Sequence, residues 1–376
     1  MLLLAMLCAA LLAASAASAG TGHSSSHSSA VTQAKKVVAQ AEKPPTWQGP
    51  TAKVNLKKVK GKSVYYVSLT QEIPALHEWG TVMAQQLSDA GVKTTTCDGK
   101  GTPADITTCL QQALAAKPNL IIGQGLDTQF IASYMKKAKA AGIPFVNAQN
   151  GNPNLSYGST AEVSENYPLI GKVMAAWFVA TAGCAKANPQ IVTTTSSREP
   201  SMAEVKGIQS GLKQLCPQLH APSVQNVLIP AWPTSLPTLT RSLITRNPSL
   251  HFLLPLYDGM AIYMLPAISG LSSAKNTVKV ASSNATPVVM KDDLAKPGPL
   301  AADVGEPNQW IGAAMADQVL RALAGQAPVK SENIPVRLFT RQNIGSINLN
   351  KDESTWYGKV NPTCLYHKLW GLSCGS

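Results

Sequence analysis

The sequence predicts an α/β protein of two Rossmann-like lobes with parallel sheets and a hinge between them. Three observations carry that expectation. From residue 62 onward, short β-rich runs alternate with apolar residues at helical spacing, the pattern of parallel strands covered by helices on both faces. The rhythm runs through four strands and restarts at a helix near Tyr167. About 310 residues lie in this regular part, enough for two cores of ordinary domain size.

The opening residues 1–19, MLLLAMLCAALLAASAASA, carry no charge, run apolar for about a dozen residues, and end in Ala17-Ser18-Ala19. That is the pattern of a cleaved signal peptide, and the run is shorter than the roughly 20 apolar residues of a spanning helix. Cys8 falls inside the apolar run rather than at its end, which disfavours a lipid anchor. Export is therefore expected, to a periplasmic or other extracytoplasmic location. Residues 20–61 are rich in Ser, Ala and Lys, contain Pro44-Pro45, and read as a flexible linker. Much of the formal net charge of +12 sits there. With Trp47 as its one aromatic residue, no aromatic interleaving of the lysines and an export signal ahead of it, this basic stretch indicates loose attraction to the cell envelope rather than nucleic-acid binding.

In the first lobe SVYYVSLT (63–70) reads as a strand, followed by a helix through Leu76, Trp79, Val82, Met83 and Leu87 that Gly91 closes. VKTTTC (92–97) is the second strand. Thr102-Pro103-Ala104-Asp105 supplies a capping hydroxyl, a proline at the first helical position and an acid in the first turn. NLIIGQG (119–125) and IPFVNAQN (143–150) are strands flanking a helix with Phe130, Ile131, Tyr134, Met135 and Ala138. The second lobe reads as a helix over 167–182, then strands at 190–197, 224–230, 251–258, 277–284 and 300–306, with helices over 202–215, 236–246 and 259–270 between them.

Removing the signal segment leaves Cys97, Cys109, Cys184, Cys216, Cys364 and Cys374. An even number in an exported chain favours disulfides, and order along the chain suggests the neighbour pairs Cys97 with Cys109, Cys184 with Cys216, and Cys364 with Cys374. No Cys-x-x-Cys, His-Glu-x-x-His, phosphate loop or EF-hand is present, so neither a metal nor a cofactor is expected. Gly371-Leu372-Ser373-Cys374-Gly375 matches the serine-hydrolase string but lacks a helix after it. Without a nucleophile and base in a recognisable arrangement, the chain reads as a binding protein rather than an enzyme.

In doubly wound sheets ligands sit beyond the carboxyl ends of the strands. The polar and aromatic residues at those ends form the candidate ligand set: Thr70, Gln71, Asp127, Gln149 and Asn150 in the first lobe, and Arg198, Trp232, Tyr257, Asp258, Asn284 and Glu306 in the second. Donors, acceptors and ring faces together suit a small polar ligand. Two or three carboxylates against at most one arginine favour a neutral or cationic molecule over an anion.

Over about residues 62–345 the order of elements resembles the type I periplasmic sugar-binding proteins, the ribose- and galactose-binding family that also supplies the ligand domain of the lactose-repressor family. Segments that carry the resemblance are AGIPFVNAQN (141–150), Asn166-Tyr167 with Gly171, Tyr257-Asp258-Gly259-Met260-Ala261, Asn284-Ala285-Thr286-Pro287, and Glu306-Pro307 with Ile311-Gly312. The resemblance implies lobes that exchange their last segments and close by hinge bending. On that basis residues 62–163 with 306–333 form the N-terminal lobe, and residues 164–305 with 334–376 the C-terminal lobe. It also implies a monomer that delivers its ligand to the membrane subunits of an ABC importer. The alternatives are a ligand-sensing subunit for a membrane receptor or kinase and, behind it, an exported enzyme. By position, Gln149-Asn150 stands where sugar binders have an Asp-Arg pair, Asn284 at a ligand-contacting Asp, Glu306 at a contacting Gln, Tyr257 at a contacting Asn, and Trp232 near a stacking aromatic. Glu204, ahead of Gly207, stands where the family commonly has an arginine.

Overall fold

The computed structural model describes residues 21–150, 156–184 and 189–374, so the expected signal peptide and Cys8 lie outside the described residues. Among the described residues no helix is long and apolar enough to cross a membrane. Helix α1 (Thr21–Ala41) precedes the first sheet, in which β1 (Ser63–Ser68), α2 (Pro74–Asp89), β2 (Lys93–Asp98), α3 (Pro103–Ala116), β3 (Leu120–Gln124), α4 (Thr128–Ala140), β4 (Phe145–Ala148) and β5 (Ala161–Val163) follow in turn. The strands are parallel in the order β2-β1-β3-β4-β5. The caps read from the sequence do their work. Thr102 accepts from the Asp105 amide at the start of α3, and Pro103 occupies a position whose amide would have no partner.

The chain then crosses to the second lobe through α5 (Tyr167–Ala182), β6 (Gln190–Thr193), α6 (Arg198–Leu215), β7 (Ser223–Asn226), α7 (Trp232–Arg246), β8 (Phe252–Pro255), α8 (Asp258–Ser269), β9 (Lys279–Asn284), the short turn α9 (Pro287–Val289) and β10 (Leu300–Gly305). It recrosses as α10 (Asn308–Ala324), returns as β11 (Arg337–Thr340), and ends in α11 (Pro362–Trp370). The second sheet has the order β11-β10-β9-β8-β6-β7, parallel except for antiparallel β11. In each sheet the order reverses once, between β1 and β3 and between β6 and β8, which opens a crevice at the carboxyl ends where a ligand fits. Helices α6 and α7 begin four residues earlier than the sequence pattern indicates, because Pro200 and Pro233 are tolerated in a first turn.

Helices α5 and α6 pack backbone to backbone. A Cβ on Gly171 would collide with the Glu204 carbonyl oxygen, and one on Gly207 with the Pro168 carbonyl oxygen. This close approach sets Glu204 beneath the cleft. The three disulfides are Cys97–Cys109, Cys184–Cys216 and Cys364–Cys374, the neighbour pairs suggested by chain order, with Cα separations of 5.6, 5.6 and 4.6 Å.

The segment 20–61 differs from the expected flexible linker. Ala30 and Ala34 of α1, one turn apart, are buried in the core cluster built on α5. After α1 the chain forms a strap. The Glu42 carbonyl oxygen accepts from Arg337 Nε at 2.9 Å, and its side chain accepts from Thr340 Oγ1, fixing this point to β11 of the second lobe. Five residues later Trp47 stacks on Trp310 at 5.0 Å and meets Tyr366 edge-on at 5.1 Å, in the first lobe. Apolar and aromatic anchoring of this kind outweighs the chain entropy that keeps Lys- and Ser-rich segments unfolded.

The tail also departs from expectation. Strand β11 joins the second sheet, but α11 returns to the first lobe and packs on α10. Trp370 Nε1 donates to Asp317 at 2.7 Å, and His367 Nε2 pairs with Gln86 Oε1 of α2 at 2.6 Å. Asp317 is held in turn by buried Arg321, whose second nitrogen donates to the strap carbonyl of Ala52. Breaking such a buried pair leaves an uncompensated charge, so the tail and strap are locked to α10 together.

Candidate functional site

Where the two crevices face each other they enclose a chamber of about 40 Å³, lined by Leu69, Ile73, Leu76, Trp79, Gln149, Tyr167, Thr194, Ile229, Trp232, Tyr257 and Asn284 among others. With residues of both lobes in its lining, so small a volume marks a closed arrangement that must widen to admit a ligand larger than a few waters. A second, wider pocket of about 490 Å³ lies outside it, shares Leu69, and is lined by Asp127, Phe130, Arg198 and Leu228.

Two direct contacts hold the lobes together near this outer pocket. Thr128, at the start of α4, gives its amide and its hydroxyl to Glu199 Oε2 of α6, at 3.0 and 2.6 Å. Ser197 Oγ donates to the Gly125 carbonyl oxygen at 3.3 Å.

The chamber wall is aromatic, and the polar end of each ring is already engaged. Trp79 Nε1 donates to Asn308 Oδ1 at 2.6 Å, and Trp232 Nε1 to the Val227 carbonyl oxygen at 3.0 Å. Tyr167 donates to Glu165 Oε2 at 2.6 Å, and the Tyr257 hydroxyl pairs with Ser201 Oγ at 3.0 Å. Ring surface is what remains for a ligand. The two lining amides are backed in the same way by carboxyl groups. Asn284 Nδ2 donates to Glu306 Oε1 at 2.9 Å, and Gln149 Nε2 to Glu165 Oε1 at 3.4 Å. Gln149 is 2% exposed, and its Oε1 has no hydrogen-bond partner. Both amide residues have left-handed backbones, φ +51° at Gln149 and +101° at Asn284, conformations that cost free energy and recur where structure is shaped for a ligand.

Behind this wall lie Glu165, Glu204, Asp258, Asp303 and Glu306, all buried. Among the described residues no ion pair reaches any of them. Burial pushes Glu165 up to about 7 and Asp258 up to about 7. Burial, followed by mutual repulsion, holds Asp303 and Glu306 well above the usual carboxylate range, and burial does the same for Glu204.

The residues singled out in the sequence divide accordingly. Gln149, Trp232, Tyr257 and Asn284 line the chamber, and Glu306 stands directly behind Asn284. Asp127 caps α4 by accepting from the Phe130 amide and lies with exposed Arg198 at the outer pocket. Asn150 donates to Thr128 Oγ1 at 2.8 Å, which supports the interlobe contact. Thr70 turns its hydroxyl to the Glu72 amide, and Gln71 reaches Tyr66 and His77, so neither lines the chamber. Asp258 accepts from the Thr286 amide and hydroxyl, both at 2.7 Å, and braces the loop after β9 instead. Trp79, Ile73, Tyr167 and Glu165 were not singled out as ligand residues. Trp79 has ordinary helical-core spacing, whereas Glu165 beside Asn166-Tyr167 lay next to a segment already carrying the family resemblance.

Two doubly wound lobes closed over a chamber at their paired crevices define a hinged ligand-binding protein. A family model described as periplasmic binding protein domain matches residues 64–327, and the chain belongs to that family. Solved structures with the same fold include an ABC sugar transporter subunit from Rhodobacter sphaeroides, 18% identical over 76% of this chain and 99% of that one, with a TM-score of 0.66. The 5-methylthioribose transporter solute binding protein from Thermotoga lettingae is 17% identical over 84% and 99%, TM-score 0.71. The Caulobacter myo-inositol binding protein is 22% identical over 77% and 97%, TM-score 0.64. No curated protein matches the chain by sequence.

Proposed function

We propose that the protein is an exported solute-binding component that captures a small polar ligand, sugar-like and neutral or cationic, between its lobes and delivers it to the membrane subunits of an ABC importer. The observation that carries this reading is the chamber itself, built from both lobes and lined by strained, amide-bearing turns at the strand ends. Gln149, Trp232, Tyr257 and Asn284, backed by Glu306, are the proposed contact set. Support comes from family membership and from structural likeness to an ABC sugar transporter subunit and to a myo-inositol binding protein bound to myo-inositol. No cofactor is invoked, and the reading requires no catalytic step.

The test is a thermal-shift and calorimetric panel of pentoses, hexoses, polyols and amines on the purified protein, with Asn284→Ala as control. A saturating ligand at a hundredfold excess over Kd stabilises the folded form by about 2.7 kcal/mol. A shift in one compound class that Asn284→Ala abolishes supports solute capture. Ligand-independent binding to a receptor ectodomain, with no shift across the panel, would replace it with the sensing role.

A further inference from the structure

We infer that the ligand is an organic ammonium cation with a compact apolar body, held by the ring faces of Trp79, Tyr167, Trp232 and Tyr257 and by the Gln149 and Asn284 side-chain oxygens. The inference rests on the solute-binding reading and specifies its ligand. It follows from three features of the chamber that agree.

The first is hydrogen-bond polarity. Glu165 Oε1 and Glu306 Oε1 accept from the amide nitrogens of Gln149 and Asn284, which turns those nitrogens toward the carboxyl groups. The amide oxygens are then left for the chamber, and Gln149 Oε1 is buried there without a partner. An unpaired buried acceptor costs free energy until a donor arrives. A polyol brings both donors and acceptors, whereas an ammonium group brings donors alone and matches a wall that offers an unpaired acceptor and has its indole N–H groups engaged elsewhere.

The second feature is the ring surface. With both indole nitrogens and both phenol hydroxyls engaged elsewhere, the carbon surface of four aromatic rings remains beside Leu69, Ile73, Leu76 and Ile229. Ring faces attract cations most strongly where water is excluded, and aliphatic neighbours suit an apolar body.

The third is charge. Glu165, Glu204 and Glu306 gather behind the wall, and among the described residues no lysine, arginine or histidine lines the chamber and no ion pair reaches the three. Two places where the resemblance to sugar binders leads one to expect arginine hold Asn150 and Glu204 instead. Burial favours the neutral forms of these carboxyls, and an ammonium ligand supplies the positive charge that offsets that effect. Its arrival favours the ionised carboxyl forms, and those forms fix the amide orientation that receives it.

The experiment uses matched pairs of equal shape: cyclohexylamine with cyclohexanol, propylamine with propanol, and putrescine with butane-1,4-diol, alongside myo-inositol and ribose. Binding is followed by calorimetry and by thermal shift at pH 7.5. The expected result is that at least one amine binds at least tenfold more tightly than its alcohol. Glu306→Gln should abolish that preference while leaving the melting temperature of the free protein within a few degrees, because a glutamine there frees Asn284 to turn its nitrogen into the chamber. If the fold does not survive that change, Gln149→Glu provides the second variant and should tighten amine binding. Binding of inositol or ribose with no amine preference overturns the cationic ligand and leaves solute capture standing. No binding in either panel overturns both.

Discussion

Glu199 is the single side chain whose removal should most change how the lobes sit. Its Oε2 takes two hydrogen bonds from Thr128 across the cleft, at 3.0 and 2.6 Å. Bonds to a carboxylate contribute about 1.5–3 kcal/mol each when well buried. Glu199 is half-exposed, so solvent competition reduces the pair to about 2 kcal/mol in total. At about 1.4 kcal/mol per factor of ten, Glu199→Ala should shift the closed-to-open ratio roughly thirtyfold toward open. Small-angle scattering of the ligand-free protein reads this as a larger radius of gyration. Amide exchange at Gly125–Thr128 should speed up in parallel, and Glu199→Gln, which keeps an acceptor, should fall between. Scattering curves and exchange rates that match the parent protein for Glu199→Ala would refute the assignment of this contact as a closure latch and leave Ser197–Gly125 and the apolar wall to hold the lobes.

Replacing Trp47 with Ala removes the half-buried ring between Trp310 and Tyr366 and should cost about 2 kcal/mol, several degrees of melting temperature by calorimetry. Stability should fall as pH rises from about 5 to 8. Buried carboxyls such as Glu162 and Glu353, each raised to about 8 by desolvation, bind protons more tightly folded than unfolded, so their contribution is complete below the ordinary carboxylate value and lost on passing the folded one. Denaturant titrations across that range should show the decline, and Glu162→Gln should flatten part of it. Reducing the disulfides should destabilise the protein, most through Cys184–Cys216, whose 32-residue separation corresponds to about 3.7 kcal/mol of loop entropy against about 2.8 kcal/mol for the 12 residues of Cys97–Cys109. Paired Cys→Ala variants in urea test that order.

The alternation of strands and helices from residue 62 was legible because each element carries its own period and its own cap, as Thr102-Pro103 shows for α3. What escaped were elements defined by partners far away in the chain. Strands β5 and β11 have only three and four residues and gain their form from pairing with β4 and β10. Helix α1 hides Ala30 and Ala34 among serines and lysines, and a two-alanine stripe says little until α5 is there to receive it. Within the site the strand-end rule located the right loops, yet the side chains of Thr70, Gln71 and Asp258 serve those loops rather than the chamber. Position along the sequence names a loop, whereas the direction of a side chain depends on φ and ψ, as the left-handed turns at Gln149 and Asn284 illustrate.

The strap gives the protein a built-in travel stop. Its ends are pinned at Glu42 to one lobe and at Trp47 to the other, and five extended residues reach about 17 Å at most. Pro44 and Pro45 stiffen that span further. However wide the mouth swings, the rear of the molecule cannot part by more than that length without pulling Trp47 from its socket. Any separation of the lobes on this side is thereby limited by a stretch of chain that lies outside the chamber lining.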